Sequence, residues 1–139
     1  MSERPADFHK LPAARRESFA ELVRALATLA GKDLLAVSAF GGWIVNDPVY
    51  AETPARSVAV LKKVDLNLLV RLAAHGNDLG PKRVAAPLIM TPEYIAESRD
   101  TFPLELLEIQ QVHCCVLGED HFEALRFARG FGERNAEQH

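Results

Sequence analysis

The chain has 139 residues, of which 48% are hydrophobic and 25% are charged. This balance is typical of one soluble globular domain with its own core, and it excludes an intrinsically disordered or collagen-like protein. A formal net charge of -3 gives no reason to expect nucleic-acid binding. No apolar run approaches the roughly 20 residues of a membrane span, so no membrane association is expected.

The cysteines and the first residues of the chain bear on location. The two cysteines are adjacent, Cys114 and Cys115, which is a poor basis for a disulfide framework and is typical of a reducing compartment. No signal peptide is visible, because residues 1–20 carry charges throughout. We therefore expect a cytoplasmic protein.

The first third of the chain predicts a helix and a strand. Residues 1–11 are polar and are expected to form a flexible N-terminal segment. Apolar residues recur three and four positions apart over 12–30, which predicts an amphipathic helix. The apolar run 34–40 then stops at Gly41 and Gly42, which predicts a buried strand that leads into a tight loop.

The middle of the chain contains one ambiguous segment. A second, short strand is expected at 57–61. Residues 65–78 begin with the alternation of a strand, but they also show the spacing of a helix with Asp65 as its N-cap. We predict a helix because the pattern continues too far for a typical strand. The residues expected to be buried come from five predicted elements: Leu26, Val37, Val60, Leu69 and Ile89.

The last part of the chain predicts short elements. A third strand is expected at 84–90, and Thr91 followed by Pro92 predicts the start of a short helix that ends near residue 98. Residues 102–109 could form an edge strand or a helix, and we predict an edge strand. A helix over 110–117, a last helical piece over 121–129 and a polar C-terminal tail over 130–139 are expected after it. This alternation predicts one α+β domain, 12–129, in which helices cover a small mixed sheet.

A metal site is not predicted from the residues that most suggest one. His113, Cys114, Cys115 and His121 are suitable zinc ligands by type, but adjacent cysteines chelate poorly and helical neighbours point about 100° apart. Neither cysteine has an activating partner that the sequence identifies, so a nucleophilic role is not predicted either.

Four short motifs carry a resemblance to a known family. They are Phe-Gly-Gly-Trp at 40–43, Pro-Leu-Ile-Met-Thr-Pro-Glu at 87–93, Asp-Thr-Phe-Pro-Leu-Glu at 100–105 and Leu-Gly-Glu-Asp at 117–120. Over about residues 12–125 the chain resembles the bacterial nucleotidyltransferase-like proteins. These are distant relatives of DNA polymerase beta and of the aminoglycoside nucleotidyltransferases. The resemblance implies a nucleotidyltransferase-like fold.

The family pattern is Gly-Gly or Gly-Ser at the end of the first strand, followed by two carboxylates at alternate positions of the second strand. The glycine loop holds the phosphates of the nucleotide, and the carboxylates bind the magnesium ions. Gly41 and Gly42 match the first part. With the second strand at 57–61, the carboxylate positions fall on Pro54 and Arg56, and neither residue binds a metal.

An active enzyme is the alternative that the resemblance leaves open. If 65–70 were the second strand, Asp65 would supply one carboxylate and Glu105 would stand in for a third. Residues 43–64 would then separate Asp65 from the glycines, which is longer than the family spacing. Magnesium and a nucleotide would be cofactors of that enzyme, and otherwise no cofactor is expected.

We therefore expect a nucleotidyltransferase-like protein without its metal-binding carboxylates, acting as a non-catalytic nucleotide-binding or protein-interaction module. Its candidate nucleotide-binding residues are Gly41, Gly42, Trp43 and Arg56. Family members often carry a further helical domain, so this chain is expected to cover apolar surface by forming a homodimer or binding a protein partner. A subunit of a toxin-antitoxin-like or larger assembly is a third possibility.

Overall fold

The computed structural model describes residues 6–45, 47–101 and 103–127. The α-helices of this part are α1 Ala13–Ala30, α2 Leu66–Leu79, α3 Pro92–Thr101 and α4 Leu104–Gln111. The strands are β1 Leu34–Phe40, β2 Arg56–Leu61, β3 Leu88–Met90 and β4 His113–Gly118. Of the helices in the described ranges, none is long and apolar enough to cross a bilayer.

The four strands form one mixed sheet in the order β3-β2-β1-β4. β1 pairs antiparallel with both β2 and β4, whereas β2 pairs parallel with β3. Phe40, at the end of β1, lies opposite Arg56 on one side and His113 on the other. The end of β1 therefore brings together the glycine loop, the start of β2 and the start of β4.

The sheet separates two apolar cores. Val37 and Ala39 of β1 face α1 and α2, while Ala36 and Phe40 face α3 and α4, as the two-residue period of a strand requires. Because helices cover both faces, β1 and β2 are apolar at almost every position. The larger side chains of the two cores include Phe19, Leu22, Leu26, Leu68 and Leu72 in the first and Met90, Ile95, Leu106, Ile109 and Phe122 in the second.

The predicted fold class is confirmed, since this is an α+β domain in which helices cover a small mixed sheet. The helix predicted over 12–30 and the strand predicted over 34–40 are α1 and β1, and β2 begins one residue before the predicted 57–61. The ambiguous segment 65–78 is helical as predicted. Asp65 caps it by accepting a hydrogen bond from the Leu68 N–H at 2.7 Å.

The predictions after α2 are less accurate. The strand predicted over 84–90 is confined to its last three residues, because only these pair along β2, and Val84 forms an isolated bridge with Ala55. The helix that starts at Pro92 is longer than predicted and continues to Thr101.

The two elements predicted next are wrong, because helix and strand are exchanged. Residues 104–109 of the expected edge strand 102–109 belong to helix α4, which begins after Pro103, and residue 102 lies outside the described ranges. The helix expected over 110–117 is found only at 110–111, the end of α4, whereas 113–117 belong to β4 because they pair with the side of β1 that β2 leaves open. α4 in turn buries Leu106 and Ile109, three positions apart, against the second core.

The last predicted helix is also absent from the described residues. Residues 121–127 form no helix, and 128–139 lie outside the described ranges. An Asx turn lies here instead of a helix. Asp120 Oδ1 accepts the N–H of Phe122 at 2.9 Å and that of Glu123 at 3.1 Å. This turn places Phe122, which is fully buried, in the second core.

The predicted core residues are found as follows. Three are buried: Leu26, Val37 and Val60. Ile89 is partly buried, whereas the prediction for Leu69 is wrong because its exposed fraction is 38%. α2 instead directs Leu68 and Leu72 to the core, one helical turn apart, so the helix is rotated from the predicted phase.

Part of the segment expected to be flexible packs on the domain. The N–H of Asp7 donates to the Val116 carbonyl at 2.8 Å, and the rings of Phe8 and Phe19 meet edge to face at 6.4 Å. Leu11 is buried. Residues 7–11 therefore belong to the packed structure of the domain, and residues 1–5 lie outside the described ranges.

Candidate functional site

The loop after β1 is the predicted functional loop, and contacts within the protein determine its path. Gly41 has φ of 102°, a conformation that favours glycine, and its N–H donates to the Val112 carbonyl at 2.9 Å. Two short 3-10 turns follow, Gly42–Ile44 and Pro48–Tyr50. The described part of the loop between β1 and β2 therefore contains two 3-10 turns, and residue 46 lies outside the described ranges.

Gly42 makes room for an aromatic ring. A Cβ atom at this position would clash with the ring of Tyr50. A side chain at position 42 therefore fits only if the ring of Tyr50, which is 37% exposed, turns away.

Trp43 is part of the first core. Its exposed fraction is 2%, its ring packs on Phe19 at 5.3 Å between centroids, and its Nε1–H donates to the Arg56 carbonyl at 3.0 Å. The guanidinium of Arg15 lies 5.6 Å from the centroid of the indole. The ring is therefore enclosed by protein and offers no open face on which a base can stack.

Arg15 holds the second half of the loop, a role that sequence reasoning missed. Its Nη2 donates to three backbone carbonyls, those of Tyr50, Ala51 and Thr53. Nothing in the sequence distinguishes Arg15 from the other arginines of the same helix, because the carbonyls it binds are 35 to 38 positions away.

Arg56 places a positive charge beside the glycine loop. Its Cδ atom would lie 3.8 Å from a Cβ atom on Gly41, and its guanidinium lies 4.5 Å from the centroid of the Phe40 ring. Nη1 donates to Glu108 Oε2 at 2.8 Å, and about half of each side chain is exposed. The cation is therefore held over the end of β1 while it stays accessible from solvent.

The two candidate catalytic carboxylates, Asp65 and Glu105, make no polar contact with the glycine loop in the described residues. Asp65 is the N-cap of α2, and Glu105 is an exposed residue in the first turn of α4. Among the described residues, neither carboxylate forms a hydrogen bond or ion pair with Gly41, Gly42 or Arg56. Of the acidic residues, it is Glu108 that pairs with Arg56, and it was not singled out from the sequence.

No protein-family model matches this sequence, and no curated protein matches it significantly.

The cysteines have no catalytic surroundings in the described residues. Both are free thiols, with Cys114 packed against the first core and Cys115 Sγ 3.4 Å from the carbonyls of Leu117 and Gly118. Burial raises the pKa of both thiols, which lowers the thiolate fraction at neutral pH. The arrangement therefore does not activate either sulfur as a nucleophile.

Proposed function

We propose that this chain is a nucleotidyltransferase-like module that does not transfer nucleotides. The observation that carries the proposal is the guanidinium of Arg56 at the start of β2, beside the glycine loop. In the family pattern, carboxylates bind magnesium there and screen the charge of the phosphates. Pro54 and Arg56 occupy these positions here, and a cation repels the metal ions that transfer requires.

The position of Asp65 supports the same conclusion. An active enzyme would need Asp65 on a strand whose side chains point toward Gly41 and Gly42. The segment is helical from Leu66, and the carboxylate of Asp65 accepts the Leu68 N–H. Asp65 therefore has a structural role that explains its presence without a metal.

Arg56 also suggests the ligand of the module. A guanidinium binds phosphate oxygens through parallel N–H donors and needs no metal ion to do so. In the structure the guanidinium of Arg56 donates to the carboxylate of Glu108, so a phosphate would compete with Glu108 for this guanidinium. We therefore expect weak nucleotide binding that is independent of magnesium and becomes stronger when the charge of Glu108 is removed.

Transfer and binding are tested on the same protein preparation. We expect no transfer of radiolabel from any of the four ribonucleoside triphosphates to protein or small-molecule acceptors, with magnesium or manganese. Calorimetry in EDTA is expected to show nucleotide binding that weakens about tenfold in Arg56→Gln and strengthens in Glu108→Gln. Arg24→Gln, an exposed arginine on α1, is the matched control and is expected to bind like the wild type.

The two parts of the proposal fail separately. Transfer that disappears in Asp65→Ala or Glu105→Ala would overturn the non-catalytic assignment and support the active alternative. Equal nucleotide affinity in wild type and Arg56→Gln would overturn the assignment of Arg56 as the phosphate-binding group.

Protein association is a second candidate function, favoured by apolar residues exposed on α2. Leu66 and Val70 are 75% and 60% exposed and lie one helical turn apart, with Leu69 beside them. An apolar groove of about 320 Å³, lined by Ala73 and Ile89 among others, adjoins this helix face. Contiguous exposed apolar surface is typical of an interface, and we propose that a second copy of the chain covers it.

Light scattering tests the association. We expect a mass near twice 15.3 kDa at moderate concentration and the mass of one chain in the double variant Leu66→Gln, Val70→Gln. Leu104→Gln removes an equally exposed leucine from α4 and is expected to leave the dimer intact. The mass of one chain for the wild type over a wide concentration range would contradict the dimer.

A further inference from the structure

A polar cluster at the start of β4 is not used by the proposed function. Its centre is His113, whose side chain is 7% exposed. Nδ1 of the ring lies 3.1 Å from the Gln110 carbonyl, and Nε2 lies 2.8 Å from Asp120 Oδ2. Glu123 Oε1 is 3.9 Å from the same Nε2. One buried imidazole nitrogen therefore faces two carboxylates.

The turn after β4 holds the side chains of His113 and Asp120 in fixed positions. Oδ1 of Asp120 accepts two backbone N–H groups, which leaves Oδ2 to face His113. The side-chain amide of Gln110 donates to the Phe122 carbonyl at 2.8 Å and ties the turn to α4. The buried histidine and Asp120 are thus held in place, whereas Glu123, whose side chain is 79% exposed, is free to adjust.

The tautomer of His113 decides which of its two contacts is a hydrogen bond. Both ring nitrogens face acceptors, but a neutral imidazole carries only one proton. With that proton on Nδ1 and donated to the Gln110 carbonyl, the lone pair of Nε2 points at a carboxylate oxygen 2.8 Å away. A metal ion bound to Nε2 removes this repulsion and keeps the hydrogen bond from Nδ1–H to the Gln110 carbonyl.

Three features favour a metal ion over a proton. A proton joins Nε2 to one acceptor, whereas a metal ion also engages Glu123. An Nδ1–H donated to a backbone carbonyl is the usual support of a metal-binding histidine. The cluster also opens into a pocket of about 200 Å³ lined by Asp7, Asp120 and Glu123 against one lysine, Lys10, which favours a cation.

We propose that His113 Nε2, Asp120 Oδ2 and Glu123 Oε1 bind a divalent transition-metal ion such as Zn²⁺. These atoms lie within 4.8 Å of one another, and metal–ligand distances of about 2.0–2.2 Å are reached when the exposed Glu123 moves closer and the 2.8 Å separation of Nε2 and Oδ2 widens slightly. One nitrogen and two oxygen ligands suit Zn²⁺ better than Mg²⁺, which prefers oxygen alone. Three protein ligands leave a coordination position open for water.

Zinc binding to the full chain, freed of metal by EDTA and dialysis, tests the proposal by calorimetry. We expect one equivalent of Zn²⁺ to bind and to raise the midpoint of thermal unfolding, because the ion binds only the folded site. Mg²⁺ at the same concentration is expected to produce neither effect.

Substitutions of the three proposed ligands test whether the ion binds at this cluster. Glu123→Gln is the decisive change, because its exposed side chain makes no other contact in the described structure that folding would need, and we expect zinc affinity to fall about tenfold or more. Asp120→Asn and His113→Asn are expected to lose binding as well. The matched controls are His121→Asn and Glu119→Gln, neighbours outside the cluster, and both are expected to bind zinc like the wild type.

Two results would overturn the proposal. The first is the absence of saturable zinc binding to the wild type. The second is zinc affinity that is unchanged in Glu123→Gln but lost in His9→Asn, which would place the ion at the exposed pair of His9 and Asp7.

Discussion

Replacing Gly42 by alanine tests whether the Tyr50 ring is the reason for a glycine at this position. A Cβ atom there would clash with the Tyr50 ring, so we expect Gly42→Ala to lower the free energy of unfolding by about 1–3 kcal/mol in urea titrations. The cost should be smaller in a Tyr50→Ala background, where the clash is absent. Gly76→Ala is the control, because it fills open space on α2 and should stabilise the helix by up to about 1 kcal/mol.

The opposite pattern would change the interpretation of this loop. If Gly42→Ala left the free energy of unfolding unchanged but abolished nucleotide binding in EDTA, the glycine would be explained by a phosphate and not by Tyr50.

The cysteine thiols give a prediction about pH. Burial raises the pKa of Cys114 and Cys115, although Lys10 opposes the shift at the first and a hydrogen bond with Ser38 opposes it at the second. Only the thiolate reacts with iodoacetamide, so the alkylation rate should still be rising at a pH where a free cysteine has reached its plateau. Cys114→Ser and Cys115→Ser separate the two rates. A plateau at or below the pH of the free thiol would contradict the prediction.

At the scale of an element, the start of α2 separates a structural from a catalytic role for Asp65. Its carboxylate accepts the Leu68 N–H, so Asp65→Ala should lower the free energy of unfolding by about 1 kcal/mol. Asp65→Asn should change it by only a few tenths of a kcal/mol, because asparagine caps a helix equally well. Urea titrations measure both. A metal ligand would behave differently, since Asp65→Asn would then abolish an activity that the wild type shows.

At the scale of the whole molecule, the two cores share one sheet and should unfold together. Phe122 is fully buried in the second core, and Trp43, the only tryptophan of the chain, is buried in the first. We expect Phe122→Ala to cost about 3–5 kcal/mol, and to shift the unfolding followed by Trp43 fluorescence and by circular dichroism equally. Tyr94→Ala, on an exposed ring, is the control and should cost little. Separate transitions from the two probes would show that the cores unfold independently.

The sequence by itself determined the elements whose signals are local. The helix at 12–30 and the strand at 34–40 follow from apolar periodicity over a few turns or residues. Asp65 marks the start of α2 because a cap acts within one turn of its helix. The start of β2 at Arg56 was predicted to within one residue, because it depends only on where a short apolar run begins.

Tertiary structure alone decided the rest. The apolar pattern of 102–109 is compatible with helix or strand, and packing against the second core made it a helix. The segment 110–117 was predicted as a helix, but pairing with β1 made its residues from 113 onward part of β4. Packing also decided the exposure of Leu69, which depends on the face that α2 turns toward α1. Glu108 meets Arg56 across 52 positions, and Asp120 meets His113 across the turn that ends β4. Such contacts depend on the packing of distant elements, which local periodicity does not encode, and for that reason the cluster at His113 emerged only from the fold.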